Sequence, residues 1–154
     1  MTLRPWRIIS ISLAAGLMLS GCSDPPTSKE PTAAQVEPIL KSHIDQTMKY
    51  AFATDITVTD PGGKDIPCGD GRSKRTYAVK AKAGVGSGNS EMVTLTLIGG
   101  LHQVAKYKLP SYAKSLTEQE AVGEQYRTRI LLSSPTKGEM VVRGETDCLP
   151  FKMS

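Results

Sequence analysis

Two histidines, three cysteines and a few Ser, Lys and Gly residues are the groups of this chain that carry chemistry. His43 and His102 are the only imidazoles, and each needs a nucleophile or carboxylate beside it to work as a general base. Neither stands at ligand spacing to a cysteine, so no metal site is expected, and no motif asks for a cofactor. His43 falls on the apolar face of a predicted helix, where a half-buried structural histidine is the expected role. His102 follows Gly99-Gly100-Leu101 with no motif around it.

The remaining candidates are weaker. Ser111 and Lys114 have Ser-x-x-Lys spacing, but the Ser-Asp-Asn and Lys-Thr-Gly motifs that accompany it in β-lactamases are missing, as is Gly-x-Ser-x-Gly. Gly84, Gly86 and Gly88 are spaced like a phosphate loop, but no Gly-Lys-Ser/Thr occurs and a strand is expected to follow, so a hairpin connection is predicted. Cys68-Gly-Asp70-Gly lacks the alternating acidic ligands of a calcium loop and reads as a turn. Lys74, Arg75, Lys80 and Lys82 cluster along one predicted strand. A solvated face is the expected reading, and contact with anionic headgroups or wall polymer the sharper one. No catalytic set emerges, and the folded part is expected to be non-enzymatic.

The clearest signal lies at the start of the chain. Arg4 and Arg7 precede an uncharged, largely apolar run from Ile8 to Leu19, too short to span a bilayer. Leu19-Ser20-Gly21-Cys22 follows directly and resembles the lipobox of bacterial lipoproteins. The resemblance implies a diacylglycerol thioether on the Cys22 sulfur, cleavage between Gly21 and Cys22, and acylation of the new amino group, palmitate being one such chain. Two or three chains matter, because a single chain binds a membrane only marginally. The expected location is the extracytoplasmic face of the cell membrane, with Cys22 as the anchor.

With Cys22 set aside, Cys68 and Cys148 remain in an exported, oxidising setting that favours a disulfide. Two free thiols or a metal site are the alternatives. Of 19 basic side chains, Arg4 and Arg7 leave with the signal, and 17 remain against 15 acidic ones, about +2. That balance points away from nucleic acid. The expected partners are the membrane and an envelope protein or small-molecule ligand.

The elements that must position these residues are legible in part. Residues 1–21 form the signal. Residues 22–31, with SDPPTSKEP after the cysteine, form a Pro-rich tether. Residues 32–154 make one domain. Thr32-Ala-Ala-Gln35 fits a capping box. Val36, Ile39, Leu40, His43, Ile44, Thr47, Met48 and Ala51 recur at helical spacing, with Pro38 expected to kink the helix or delay its start to about Glu37. Ile56 and Val58, then Tyr77, Val79 and Ala81, then Val93, Leu95 and Leu97 alternate as strands. Met140, Val141 and Val142 mark a last strand, paired across Pro135–Gly138 with 129–133. Within 101–128, capping boxes at Ser115 and Thr117 and the spacing of Val122, Tyr126 and Ile130 predict a short second helix, with an extended arm as its rival.

The predicted class is α+β, an amphipathic helix packed on one antiparallel sheet and clamped by a disulfide. The layout, with its Gly144-Glu-Thr-Asp-Cys148 ending, resembles small mycobacterial and other actinobacterial lipoproteins of the LppA type. That resemblance implies a cell-envelope location and assigns no activity. A small cell-wall or lipid hydrolase is the alternative function.

Overall fold

The computed structural model describes residues 30–84, 88–110 and 115–151. Helix α1 (Ala33–Tyr50) opens the domain. The predicted capping box is formed: the Gln35 amide donates to the Thr32 hydroxyl at 3.3 Å, and the Thr32 amide donates to the Gln35 side chain at 2.9 Å. Pro38 therefore does not delay the start. It sits inside the helix, and the bond it cannot make falls on the carbonyl of Ala34, an exposed residue whose carbonyl water can serve. Leu40, Ile44 and Met48 are fully buried, whereas Ile39 is 41% exposed.

Eight strands follow: β1 (Thr54–Asp60), β2 (Ile66–Gly69), β3 (Arg72–Lys74), β4 (Thr76–Lys82), β5 (Glu118–Gly123), β6 (Thr128–Ser133), β7 (Glu139–Thr146) and β8 (Leu149–Pro150). Five form an antiparallel sheet in the order β1-β4-β7-β6-β5. The alternation read from sequence places Tyr77, Val79, Ala81, Met140 and Val142 on the buried face, and all are buried. Ile56 and Val58 lie on edge strand β1, where they stay about half exposed. The last strand and its pairing across Pro135–Gly138 are as expected, with Leu132 opposite Val142.

Three expectations are corrected. Val93, Leu95 and Leu97 lie not on a strand but on helix α2 (Ser90–Val104). Asn89 caps it, accepting from the Met92 amide at 3.0 Å, and the hydroxyls of Thr94 and Thr96 donate to carbonyls one turn back. Val93, Leu97, Gly100 and Leu101 form its buried stripe, so a helical period ran beneath the alternating one. The helix predicted near 117–130 is instead β5, a single 3-10 turn (Glu124–Tyr126) and β6: the extended rival holds. Ser115 binds Thr117 in a local turn rather than capping a helix. Finally, there are two sheets, because β2, β3 and β8 form a small second one.

Both helices cover one face of the large sheet and pack on each other. Gly100 allows that crossing, since a Cβ there would lie 2.8 Å from the Thr47 carbonyl oxygen. Gly144 gives similar room to Leu40 and Ile44 of α1. Gly100→Val is expected to push the helices apart and cost about 1–3 kcal/mol in urea unfolding.

Cys68 and Cys148 are bonded, with Cα atoms 6.0 Å apart. The bridge ties the small sheet to the residues that follow β7.

Candidate functional site

Among the described residues, no helix covers the face of the large sheet away from α1 and α2. Register places Asp60, Ala78, Arg143, Leu131 and Glu120 in one row across all five strands. Thr76, Glu145, Arg129 and Val122 form the next row. Period-two geometry explains the selection: on β7, Val142 and Gly144 point to the helices, so Arg143 and Glu145 point away. The face holds a shallow groove of about 610 Å³ around Arg143.

Charge in the groove is unevenly matched. Arg129 pairs with Glu120 at 3.0 Å, and Lys74 with Glu145 at 2.7 Å. Asp60 accepts from the Thr76 hydroxyl and the Gly62 amide, which hold its carboxyl below the usual range. Arg143, at the centre, has no carboxylate partner among the described residues. Ala78 and Leu131 flank it in register, so its nearest row neighbours on both sides are apolar. This arrangement suits a guanidinium that receives an acidic group while small apolar side chains receive the rest of an extended ligand. Sequence reading marked Val141 and Val142 but not Arg143. The alternating period alone would have put it on the outer face.

The sequence-derived candidates are scattered. Cys22, Ser111, Lys114 and Gly86 lie outside the described residues. The glycine loop joins β4 to α2, so a helix follows where a strand was expected. What still separates it from a phosphate loop is the missing Gly-Lys-Ser/Thr. Asp70 occupies a left-handed turn position with φ 46°. The basic cluster is neutralised residue by residue: Lys74 with Glu145, Arg75 with Glu37 and Asp65, Lys80 with Glu139, and Lys82 with Asp55. That pairing leaves little net positive charge along this strand.

His43 belongs to an aromatic knot. Its Nδ1 is 3.0 Å from the Tyr107 hydroxyl, which is 2.7 Å from the Thr128 hydroxyl, and Tyr126 meets the imidazole edge-on. Burial lowers the His43 pKa and pushes the Tyr107 phenol up to about 12. A hydrolytic role would need a serine or carboxylate bound to His43 or His102, and neither ring has such a partner among the described residues. Among those residues no group of three His, Cys, Asp or Glu side chains could hold a metal ion, and no helix is long and apolar enough to cross a membrane.

Two carboxylates invisible as anchors in the sequence fix the start of the domain. Glu37, 4% exposed, receives Lys41 at 2.8 Å, Arg75 at 2.7 Å and the Gly63 amide at 2.6 Å. Glu30 lies between Arg72 and Arg127, 2.7 Å from each. Those two arginines hold its carboxyl below the usual range, Arg127 contributing most. The last residues assigned to the tether are thus pinned to the domain.

No known protein family, curated protein or solved structure matches this chain.

Proposed function

We propose that this chain is a lipoprotein held at the extracytoplasmic face of the cell membrane through Cys22, and that its domain is a non-enzymatic binding module. The binding surface is the open face of the large sheet. One observation carries that choice: among the described residues, Arg143 stands without a counter-charge at the centre of a broad groove, while neighbouring cations are paired. The lipobox residues Leu19-Ser20-Gly21-Cys22 support the anchoring. The groove is shallow, which suits an acidic segment of an envelope protein or another extended anionic ligand better than a small molecule that must be enclosed.

The test is capture from crosslinked cells with the anchored domain and its Arg143→Glu variant. Because Arg143 is exposed and unpaired, the substitution is expected to leave stability within about 0.5 kcal/mol. The wild-type domain is expected to enrich a specific envelope partner, and the variant to lose it. Recovery of nothing beyond an unrelated lipoprotein control, or equal recovery by both forms, contradicts the proposal.

A further inference from the structure

We infer that the disulfide end of the domain docks onto the bilayer, with Phe151 and the adjoining groove of the small sheet as the contact. The inference rests on the lipid anchor at Cys22. The chain enters the domain at Glu30, which is fixed to Arg72 and Arg127. Arg72 also donates to the Cys148 carbonyl at 3.0 Å and lies opposite Pro150 in the small sheet. The Phe151 amide donates to the Gly71 carbonyl at 3.1 Å. The entry point of the chain and the Phe151 side chain therefore share one end of the molecule. Phe151 is 50% exposed and lines a groove with Pro67, Gly69 and Gly71.

Tether length selects this end over the other. Cys22 and Glu30 are eight residues apart in sequence, a reach of at most about 28 Å. The more exposed Phe52, at 78%, stands beyond the far end of α1. An 18-residue helix is roughly 27 Å long. With α1 upright and Phe52 at the surface, Glu30 stands about that far above the membrane and the whole tether is stretched. Phe151 reaches the surface with the tether slack. Tethering also raises the effective concentration of the contact, so a single aromatic and a rim of small residues suffice. Asp65 and Asp70 line the same groove as Arg72, so the groove offers anionic lipid no net positive charge, and Phe151 is its apolar contact.

The only tryptophan is Trp6, inside the signal, so the mature chain offers a silent background. Phe151→Trp and Phe52→Trp are made separately in the full chain, purified from membranes, and their lipidation and cleavage are read first by intact mass. An unlipidated or uncleaved mass reports failure of the anchor reading. Properly processed protein then goes into phosphatidylcholine–phosphatidylglycerol vesicles carrying brominated acyl chains. The tryptophan at 151 is expected to shift blue by several nanometres and lose at least half its emission, in high salt as in low. The tryptophan at 52 is expected to emit as in water. Equal emission from both sites, or quenching at 52 alone, overturns the inference; so does quenching at 151 that salt abolishes. Hydrogen exchange of the unsubstituted lipidated protein gives a reading free of any folding defect. The amides of residues 69–71 and 151 are expected to slow at least threefold on vesicles relative to the signal-free Cys22→Ser domain, and unchanged rates overturn the inference.

Discussion

Cys148→Ser is expected to lower the thermal midpoint of the domain by about 10–20 °C under non-reducing conditions. The bridge spans a sequence separation of 80. Loop-closure entropy puts its stabilisation at about 4–5 kcal/mol, a large share of what a domain of this size possesses. The structure adds a local reason. Every residue of β2 is exposed, and β8 contributes only Leu149 to a small cluster with Ala33 and Val36. The small sheet therefore lacks a core of its own, and Cys68 fastens a strand that little else retains. Loss of the bond should release β2 first, so hydrogen exchange at Ile66, Cys68 and Gly69 should rise well before the large sheet opens. Calorimetry of the variant beside the oxidised wild type reads the first effect. An unchanged midpoint would show that the bond does not hold the fold.

Glu37→Ala is expected to cost about 3–5 kcal/mol, read as a shift of the urea midpoint. The substitution leaves Arg75, whose side chain is 18% exposed, with Asp65 as its remaining partner. It also strips the Gly63 amide of its acceptor, and with it the link between α1 and the segment joining β1 to β2. Burial alone would raise the Glu37 pKa. The hydrogen bonds from Lys41, Arg75 and Gly63 outweigh it, and the net displacement is downward. A carboxyl with a folded pKa below its unfolded value binds fewer protons in the native state. Its contribution is therefore complete above the unfolded value, near 4.5, and is lost as pH falls through the folded one. Wild-type stability should decline below about pH 4.5, and the slope should be shallower in Glu37→Ala. A parallel decline in both proteins would assign the acid sensitivity elsewhere, Asp65 and Glu30 being the next paired carboxylates.

What the sequence displayed and what it concealed divide along physical lines. Helix α1 was readable because its cap and apolar stripe agree, and that agreement outweighed Pro38. The strands flanking the core were readable where alternation coincides with burial, as at Tyr77, Val79 and Ala81. Val93-Thr-Leu-Thr-Leu97 misled because both periods fit it. The helical one won through Asn89 as a cap and Gly100 as the point of contact with α1, and both signals are local enough to have been weighed. Residues 117–130 misled for the opposite reason, since capping-box residues there serve a turn. The pairs of Glu37 with Arg75 and of Glu30 with Arg72 and Arg127 join positions far apart in the chain, and no single-sequence pattern contains them, whereas Glu37 and Lys41 stand at the i,i+4 spacing of α1. Arg143 was hidden differently. Its outward direction follows from the strand period, but its lack of a carboxylate depends on which strands lie beside β7.

The small sheet reorders the importance of the cysteines. Cys68 and Cys148 do more than stabilise: they hold the end of the domain from which the chain departs toward Cys22. Glu30 and the bridge lie at one end of the domain, joined through Arg72, and the groove around Arg143 is lined by other residues. In the proposed function, anchoring and binding rest on separate residues. Cys22→Ala is expected to abolish membrane retention while leaving the fold unchanged, and Arg143→Glu to alter neither retention nor fold.

The anchor is tested most directly by the intact mass of the protein extracted from the membrane fraction of a bacterial host. The account predicts a chain beginning at Cys22, heavier than its polypeptide by a diacylglyceryl group, with or without a further acyl chain, and absent from Cys22→Ala. A chain that retains residues 1–21, or one that begins elsewhere with an unmodified Cys22 thiol, would contradict it.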